Sequence, residues 1–436
     1  MTKVICHADA SGLPATRKAS DVHVILYGKG AMPPKVARIG SMLLDPISRL
    51  KLGIRSNAFD FLTIGLAVTA ADTFVLRSDA DDRWCRRLEL TIPLIDPRPW
   101  NAVRSMLEHA LNFLSGDHWS LRFKRGGPRP PSKAIRDRRR IFIDLSKAEC
   151  ACLFSGGLDS YVGVLDLLSE GRRPMLVSHA YRGDRKYQAN VATFLPTSCP
   201  RFAANAHPTW SGATEISMRT RSLNFLTYGA LTATAIAEFR GLSRVDLIVP
   251  ENGHIALNPP LTPRRIGSHS TRTTHPFFLN AIQRIMEGVG LPVVISNPLR
   301  HQTKGEIMAR HATTTADFAL AAAGTVSCGK WKRKNKQCGH CVPCLIRRAA
   351  FHAAAIADDT DYREPDLEKI ANDPQIRDDL ISVLTAVSRS RTARMEPWVI
   401  QAGPLPEDEQ ERFACVDVFT RGISELGNFL RASGFP

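Results

Sequence analysis

Residues 153–160 read Leu-Phe-Ser-Gly-Gly-Leu-Asp-Ser. Two glycines, two hydroxyls and a carboxylate thus sit between an apolar run at 151–154 and a helical pattern carried by Val162, Leu165 and Leu168. The run predicts a buried strand and the periodicity a helix, which places Gly156 and Gly157 in the turn between them. Backbone N–H groups exposed at such a turn, with the helix dipole behind them, hold an anion such as phosphate. Ser155 and Ser160 add hydroxyl donors, and Asp159 is suited to Mg2+ bridging phosphate oxygens. The spacing fits neither G-x-x-x-x-G-K-S/T nor G-x-G-x-x-G, so the kinase-type P-loop and the dinucleotide fingerprint are excluded. The alternative is an ordinary Ser/Gly turn before a helix.

A second constellation is Cys328, Cys338, Cys341 and Cys344, or C-x9-C-x2-C-x2-C, four thiols within 17 residues. Four thiolates suit a closed tetrahedral Zn2+ site that staples loops and leaves no open position for catalysis. An iron–sulfur cluster is the competing occupant. Cys6, Cys85, Cys150, Cys152, Cys199 and Cys415 read as core or surface thiols. Cys152, with apolar neighbours, reads as a buried structural thiol and not a nucleophile.

The elements that must carry these groups follow from pattern. Over 1–125 an α+β domain is expected, with strands at 22–27, 87–94 and 119–123 and helices at 60–71 and 98–114. Residues 126–140 form a basic Pro/Gly linker. From 141 to 326 strands (141–144, 151–154, 174–180, 246–250, 292–296) alternate with helices (161–169, 183–194, 221–239, 275–288). That alternation predicts an α/β fold with a doubly wound parallel sheet, whose ligand sits at the carboxyl ends of the strands. A four-Cys zinc segment (327–356) and a helical extension (357–436) complete the chain. No internal repeat is visible.

Composition sets outer bounds. Apolar residues make up 44% and charged residues 23%, ordinary for a globular protein, and no long apolar run predicts a membrane span. Cysteines without a signal-peptide pattern lead to the expectation of a cytoplasmic protein. The formal charge of +16 is uneven. Residues 122–140 hold Arg122, Lys124, Arg125, Arg129, Lys133, Arg136, Arg138, Arg139 and Arg140 against Asp137 alone. A second group is Lys330, Lys332, Arg333, Lys334 and Lys336. Such clusters attract polyanions, but no motif that reads nucleic acid accompanies them.

The S-G-G-x-D-S pattern resembles the PP-loop of the ATP pyrophosphatases, which hold ATP while a substrate oxygen attacks its α-phosphate. With the four-Cys cluster and Arg347-Arg348-Ala-Ala-Phe351 downstream, the stretch 148–356 is similar to the QueC family of 7-cyano-7-deazaguanine synthases. The resemblance implies that Ser178 and His179, with Tyr181 and Gln188 beyond, contact the adenosine part of ATP. It also matches Arg221-Ser-Leu-Asn224-Phe225, Glu251-Asn252-Gly253 and Thr303-Lys304-Gly305-Glu306-Ile307, in which Lys304 is expected to reach phosphate. Where the family carries a purine-recognition run, this chain reads Ser268-His-Ser270-Thr-Arg272-Thr-Thr274-His275-Pro276. In that run, in length and in flanking domains the chain looks most like the QatC type, the QueC-like component of Qat anti-phage defence systems. That likeness implies adenylation of a 7-deazaguanine-type carboxylate and its transfer to the N-terminal amine of a partner protein.

The expected site follows. Asp159, Ser160 and Lys304 are the catalytic candidates, and Ser155, Gly156, Gly157, Ser178, His179 and Arg221 complete the ATP site. Glu251, Asn252, Arg272 and His275 are the substrate candidates, and the four cysteines the zinc ligands. For Glu251 a structural cap, for Arg272 a solvated loop position, and for His179 and His275 a loop hydrogen bond are the competing readings. Ammonia as acceptor, followed by a second ATP-dependent dehydration, would give 7-cyano-7-deazaguanine, and transfer to a nucleic acid is a further outcome. A non-catalytic ATP-binding scaffold in a defence complex is the alternative of a different class.

Overall fold

Cys150–Leu153 is buried at every position, as a strand covered on both faces must be. In the computed structural model it lies at the centre of the second of two parallel sheets. The structure describes residues 1–436 apart from 29, 31–32, 51–52, 132–141, 182, 264–271, 316 and 332–335. The first sheet contains β1 (Thr2–His7), β2 (Val22–Leu26), β3 (Ala37–Ile39), β4 (Arg87–Leu94) and β5 (His118–Arg125), in the order β3-β2-β1-β4-β5. The second contains β6 (Cys150–Leu153), β7 (Pro174–His179), β8 (Arg201–Ala204), β9 (Val245–Ile248) and β10 (Val293–Ser296), in the order β10-β9-β6-β7-β8. Every pairing in both sheets is parallel.

The second sheet is the expected doubly wound α/β arrangement. The chain steps from β6 outward to β8, then returns to place β9 beside β6, with Ala151 opposite Leu247 and Cys152 opposite Ile248. That return creates the switch point, the crevice where ligands bind in open parallel sheets.

Several expectations change in detail. The first unit, expected as α+β, has five parallel strands, because β1 and β3 join the three anticipated. The helix expected over 98–114 is two, Pro97–Ala102 and Arg104–Ser115, broken at Val103. Residues 142–144, expected to belong to a strand, have no regular structure, and position 141 lies outside the described residues. Of the basic and polar runs, positions 132–140, 268, 270 and 332–334 also lie outside them.

One apolar core runs through both sheets. The helix Ser56–Phe74, buried from Ala58 onward, packs on the helix Arg221–Arg240. Gly65 makes the crossing possible, since a Cβ there would come within 2.8 Å of Thr227 Cγ2. The C-terminal region is helical, and its long helix Glu409–Ala432 packs on Gly253–Leu257, Lys304–Ala312 and Val342–Ala353. Among the described residues no helix is long and apolar enough to cross a membrane.

Candidate active site

The turn after β6 forms as its residues dictate. Gly156 has φ +79°, and a Cβ there would also strike the Tyr187 ring at 2.7 Å. Gly157 caps the helix Leu158–Ser169 without a side chain, which leaves the first-turn amides open. Ser155 Oγ accepts from Gly157 N (3.2 Å) and lies 3.2 Å from Ser160 Oγ, which donates to the Gly157 carbonyl (2.8 Å). Val326 N donates to the Gly156 carbonyl (3.1 Å), so the zinc-segment side closes over the turn.

Asp159 sits beneath the turn, 5% exposed. Its Oδ1 accepts from Lys304 Nζ, and its Oδ2 accepts from Asn252 N (3.1 Å) and Nδ2 (2.6 Å). Burial pushes this carboxyl up. The Lys304 charge and hydrogen bonds from Glu251, Lys304 and Asn252 more than offset it, so Asp159 titrates at about 2. Glu251 moves the other way: burial and the adjacent Asp159 charge push it well above the usual carboxylate range. Asn297, directly after β10, fixes the Glu251 backbone, donating from Nδ2 to its carbonyl (2.8 Å) and accepting from its N–H (3.3 Å).

Two cavities meet at Ser155, Ser160, Pro250 and Glu251. One, of about 220 Å³, is walled by Gly157, Asp159, Lys304, Val326, Ser327 and Pro343. The other, of about 290 Å³, is walled by His179, Tyr187, Gln188, Arg221, Phe225 and Thr274. The buried His179 ring lies 4.0 Å from the Tyr181 ring. Arg221 pairs with Asp184 at 3.2 Å and lies over Tyr181.

The structure thus brings Ser155, Gly157, Asp159, Ser160, His179, Arg221, Glu251 and Lys304 around one pair of cavities. Other candidates stand elsewhere. Ser178 Oγ, fully buried, donates to the Phe154 carbonyl (3.0 Å) and ties β7 to the turn. Asn252 is buried, gripping Asp159 and capping the helix Gly253–Leu257 through Ile255 N. Arg272 donates to the Phe113 carbonyl (2.9 Å) and covers that ring, while its neighbours Thr273 and Thr274 line the second cavity. His275, 0% exposed, accepts from Phe277 N and caps the helix Pro276–Gly288; burial, then Arg272, pushes it down to about 3. These four are therefore supports in this geometry. A short polar side chain before a helix serves equally as ligand or cap, and the sequence does not distinguish them.

Sequence reasoning placed Thr303 and Glu306 beside Lys304 without giving either a supporting role, and it missed Glu425 and Arg421. Thr303 and Glu306 form a capping box at its helix. Glu425 accepts from the Thr303 hydroxyl and from Gly305 N (3.3 Å), so one carboxylate grips the residues on both sides of Lys304. Arg421 pairs with Glu306 and donates to the His301 carbonyl (2.9 Å). The capping box T-x-x-E was a readable signal; Glu425 offered none. Arg347, fully buried, donates to Thr325 Oγ1 (2.8 Å) and the Ala322 carbonyl (2.5 Å) and steadies the Val326–Ser327 wall.

The Sγ atoms of Cys328, Cys338, Cys341 and Cys344 lie within 4.8 Å of one another. Two pairs stand at 3.9 Å, against about 3.8 Å for the edge of a tetrahedron with ~2.3 Å zinc–sulfur arms. Backbone N–H groups of Lys330, Cys338 and Cys341 point at the sulfurs, at 3.3–3.4 Å, as suits thiolate charge. The donor set fits a single tetrahedral ion such as zinc.

Comparison with known proteins bears on this half of the site. Residues 274–355 match the family model of the queuosine biosynthesis protein QueC. This segment is QueC-like. The chain is 37% identical over 93 residues to the 7-cyano-7-deazaguanine synthase of Thiobacillus denitrificans, covering 20% of this chain and 40% of that protein. It is 41% identical over 69 residues to the synthase of Ralstonia nicotianae (16% and 29%), and 34% identical over 95 residues to that of Sinorhizobium fredii (21% and 37%). The chain thus spans two fifths or less of these relatives. The QueC-like match takes in Lys304 and the four cysteines, while the Ser155–Ser160 turn, the first sheet and the helix Glu409–Ala432 lie outside residues 274–355.

Proposed function

We propose that this protein adenylates a 7-deazaguanine-type carboxylate with ATP and passes the activated acyl group to an amine, the N-terminus of a partner protein in an anti-phage defence system. The observation that carries the reading is the arrangement at the switch point. Open helix amides, Ser155, Ser160 and Lys304 surround one small cavity, continuous at Glu251 with a second that is lined by aromatic and hydrogen-bonding side chains. The QueC-like segment supplies the lysine.

The chemistry follows from these groups. The substrate carboxylate oxygen attacks the α-phosphorus of ATP; that P–O bond forms, the bond to the β-phosphate oxygen breaks, and pyrophosphate leaves with the electron pair. Charge grows on the departing group, where the turn amides, both serine hydroxyls and the Lys304 ammonium stand as preorganised donors. Asp159 is the carboxylate that would hold the magnesium ion that accompanies ATP, which would neutralise phosphate charge. An amine then attacks the acyl carbon, a C–N bond forms, AMP departs and the amine proton passes to solvent.

The relatives, named 7-cyano-7-deazaguanine synthases, favour a second reading in which ammonia is the acceptor, giving an amide that a second ATP-dependent dehydration converts to the nitrile. A protein acceptor is favoured by the first sheet and the C-terminal helix, which add docking surface that a small amine does not need. Incubation with ATP, Mg2+ and 7-carboxy-7-deazaguanine, with ammonium or with co-expressed partners, separates them. A mass increase on a partner's N-terminus supports conjugation, and a nitrile supports the synthase. ATP binding without AMP or pyrophosphate release under any condition overturns both and leaves a scaffold.

A further inference from the structure

The two sheets share one strand order. Counted within each unit, both run 3-2-1-4-5, all parallel, with the switch point between the first and fourth strands. The helices correspond as well: Ser56–Phe74 and Arg221–Arg240 each join the third strand to the fourth, and Arg104–Ser115 and Pro276–Gly288 each join the fourth to the fifth. The corresponding helices pack on each other, Ser56–Phe74 on Arg221–Arg240 and Arg104–Ser115 on Pro276–Gly288. Like meeting like is the signature of a two-fold interface, normally found between identical subunits.

We infer that residues 1–125 are a second copy of the α/β unit which binds no nucleotide and takes the place of a partner subunit, holding walls of the one active site. Its silence is explained by its turn. After β1 comes Ala8-Asp9-Ala10-Ser11-Gly12, where the chain forms only a short 3-10 turn and Asp9 turns back on Ser11 (2.9 Å to its N–H). No α-helix follows β1 before β2 among the described residues, so the row of open amides that grips phosphate is missing.

Its supporting role is visible at two places. Asp72, in the silent unit, accepts from Thr220 N (2.8 Å) and Oγ1 (2.9 Å), directly before the cavity residue Arg221. The Phe113 carbonyl and ring hold Arg272, next to the cavity residues Thr273 and Thr274. Further ties cross the junction: Asn57 donates to the Val289 carbonyl (3.0 Å), and Phe113 lies 4.8 Å from the Phe277 ring.

The inference depends on the ATP reading only for its nucleotide count, and the full-length protein tests it by native mass and ATP titration. The expected result is a monomer of 48.1 kDa that takes up one ATP. Two ATP per chain, or a stable dimer of the wild type, would overturn it. Gly65→Ala, whose new methyl strikes Thr227, is expected to weaken ATP binding at least tenfold and to make the chain self-associate through the opened face. Adding Thr227→Ala should restore both. A G65A protein that matches wild type in both readouts overturns the inference, and so does one not rescued by T227A. A wild type that binds no ATP removes the proposed function, while mass and self-association still decide the inference.

Discussion

Lys304 and Asp159 form an ion pair beneath the glycine turn, and both side chains are less than a tenth exposed. Removing one partner leaves the other charge buried alone, which costs about 3–5 kcal/mol. Asp159→Asn and Lys304→Met are therefore each expected to lower the melting temperature, and the double variant to recover much of the loss. Activity should separate from stability, because a lost preorganised donor costs about 10²–10³ in rate and is not restored by a neutral pair. Pyrophosphate release beside thermal melts checks this; a K304M protein releasing pyrophosphate at the wild-type rate would dismiss Lys304 from the chemistry.

Glu425 lies far from Lys304 in sequence and next to it in space. Its carboxylate bonds to Thr303 and Gly305, and a Cβ at Gly305 would come 2.5 Å from Glu425 Oε1. Glu425→Ala should therefore let the first turn of the Lys304 helix drift and lower kcat about tenfold or more, since small misplacements of a positioned group are costly. Glu425→Gln keeps an acceptor oxygen and should recover part of the rate. Equal rates in E425A and wild type would show that the helix Glu409–Ala432 merely packs.

The metal segment carries a prediction of its own. Cys341 caps the helix Val342–Ala353, and Val326, Ser327 and Pro343 wall the cavity at Lys304. The purified protein should hold one zinc per chain by elemental analysis. Chelation, or Cys344→Ser, should lower the melting temperature and weaken ATP binding, because a structural site contributes its binding energy to folding. A metal-free protein that melts and binds ATP like wild type would remove zinc from the account.

Local patterns in the sequence made part of this structure legible. The Ser155–Ser160 turn, the four cysteines, and strands such as Cys150–Leu153 and Pro174–His179 could be read because neighbouring residues alone determine them. Short β8, Arg201–Ala204, escaped because arginine and alanine give little strand signal. The directions of Arg272 and His275 were hidden, since Phe113, their shared neighbour, lies in the other unit. Duplication of the sheet left no visible repeat, because strand order can persist when side chains have changed.

Buried histidines predict how the protein responds to acid. Burial pushes His254 down to about 4, and burial together with Arg272 pushes His275 down to about 3. His275 caps a helix as a neutral acceptor, and His254 stacks on Phe419 with its ring against Gly422. Both folded values lie below 6.5, the ordinary value, so between these limits the unfolded chain takes up protons that the folded one does not. Stability is then fully present above about pH 6.5 and falls as the pH drops, by about 2 kcal/mol per histidine at about pH 5. Glu425 works in the opposite direction: burial raises it to about 7, so protonation between about pH 7 and 4.5 favours the folded state and offsets part of the loss. Asp60 and Glu251, also raised by burial, add to that offset, so denaturant titrations at about pH 7 and about pH 5 isolate the histidine part of the loss by comparison with a variant. His275→Asn, which can still cap the helix, should shrink that loss whatever it costs at neutral pH, and an unchanged pH dependence in H275N would mean that this histidine is not held neutral.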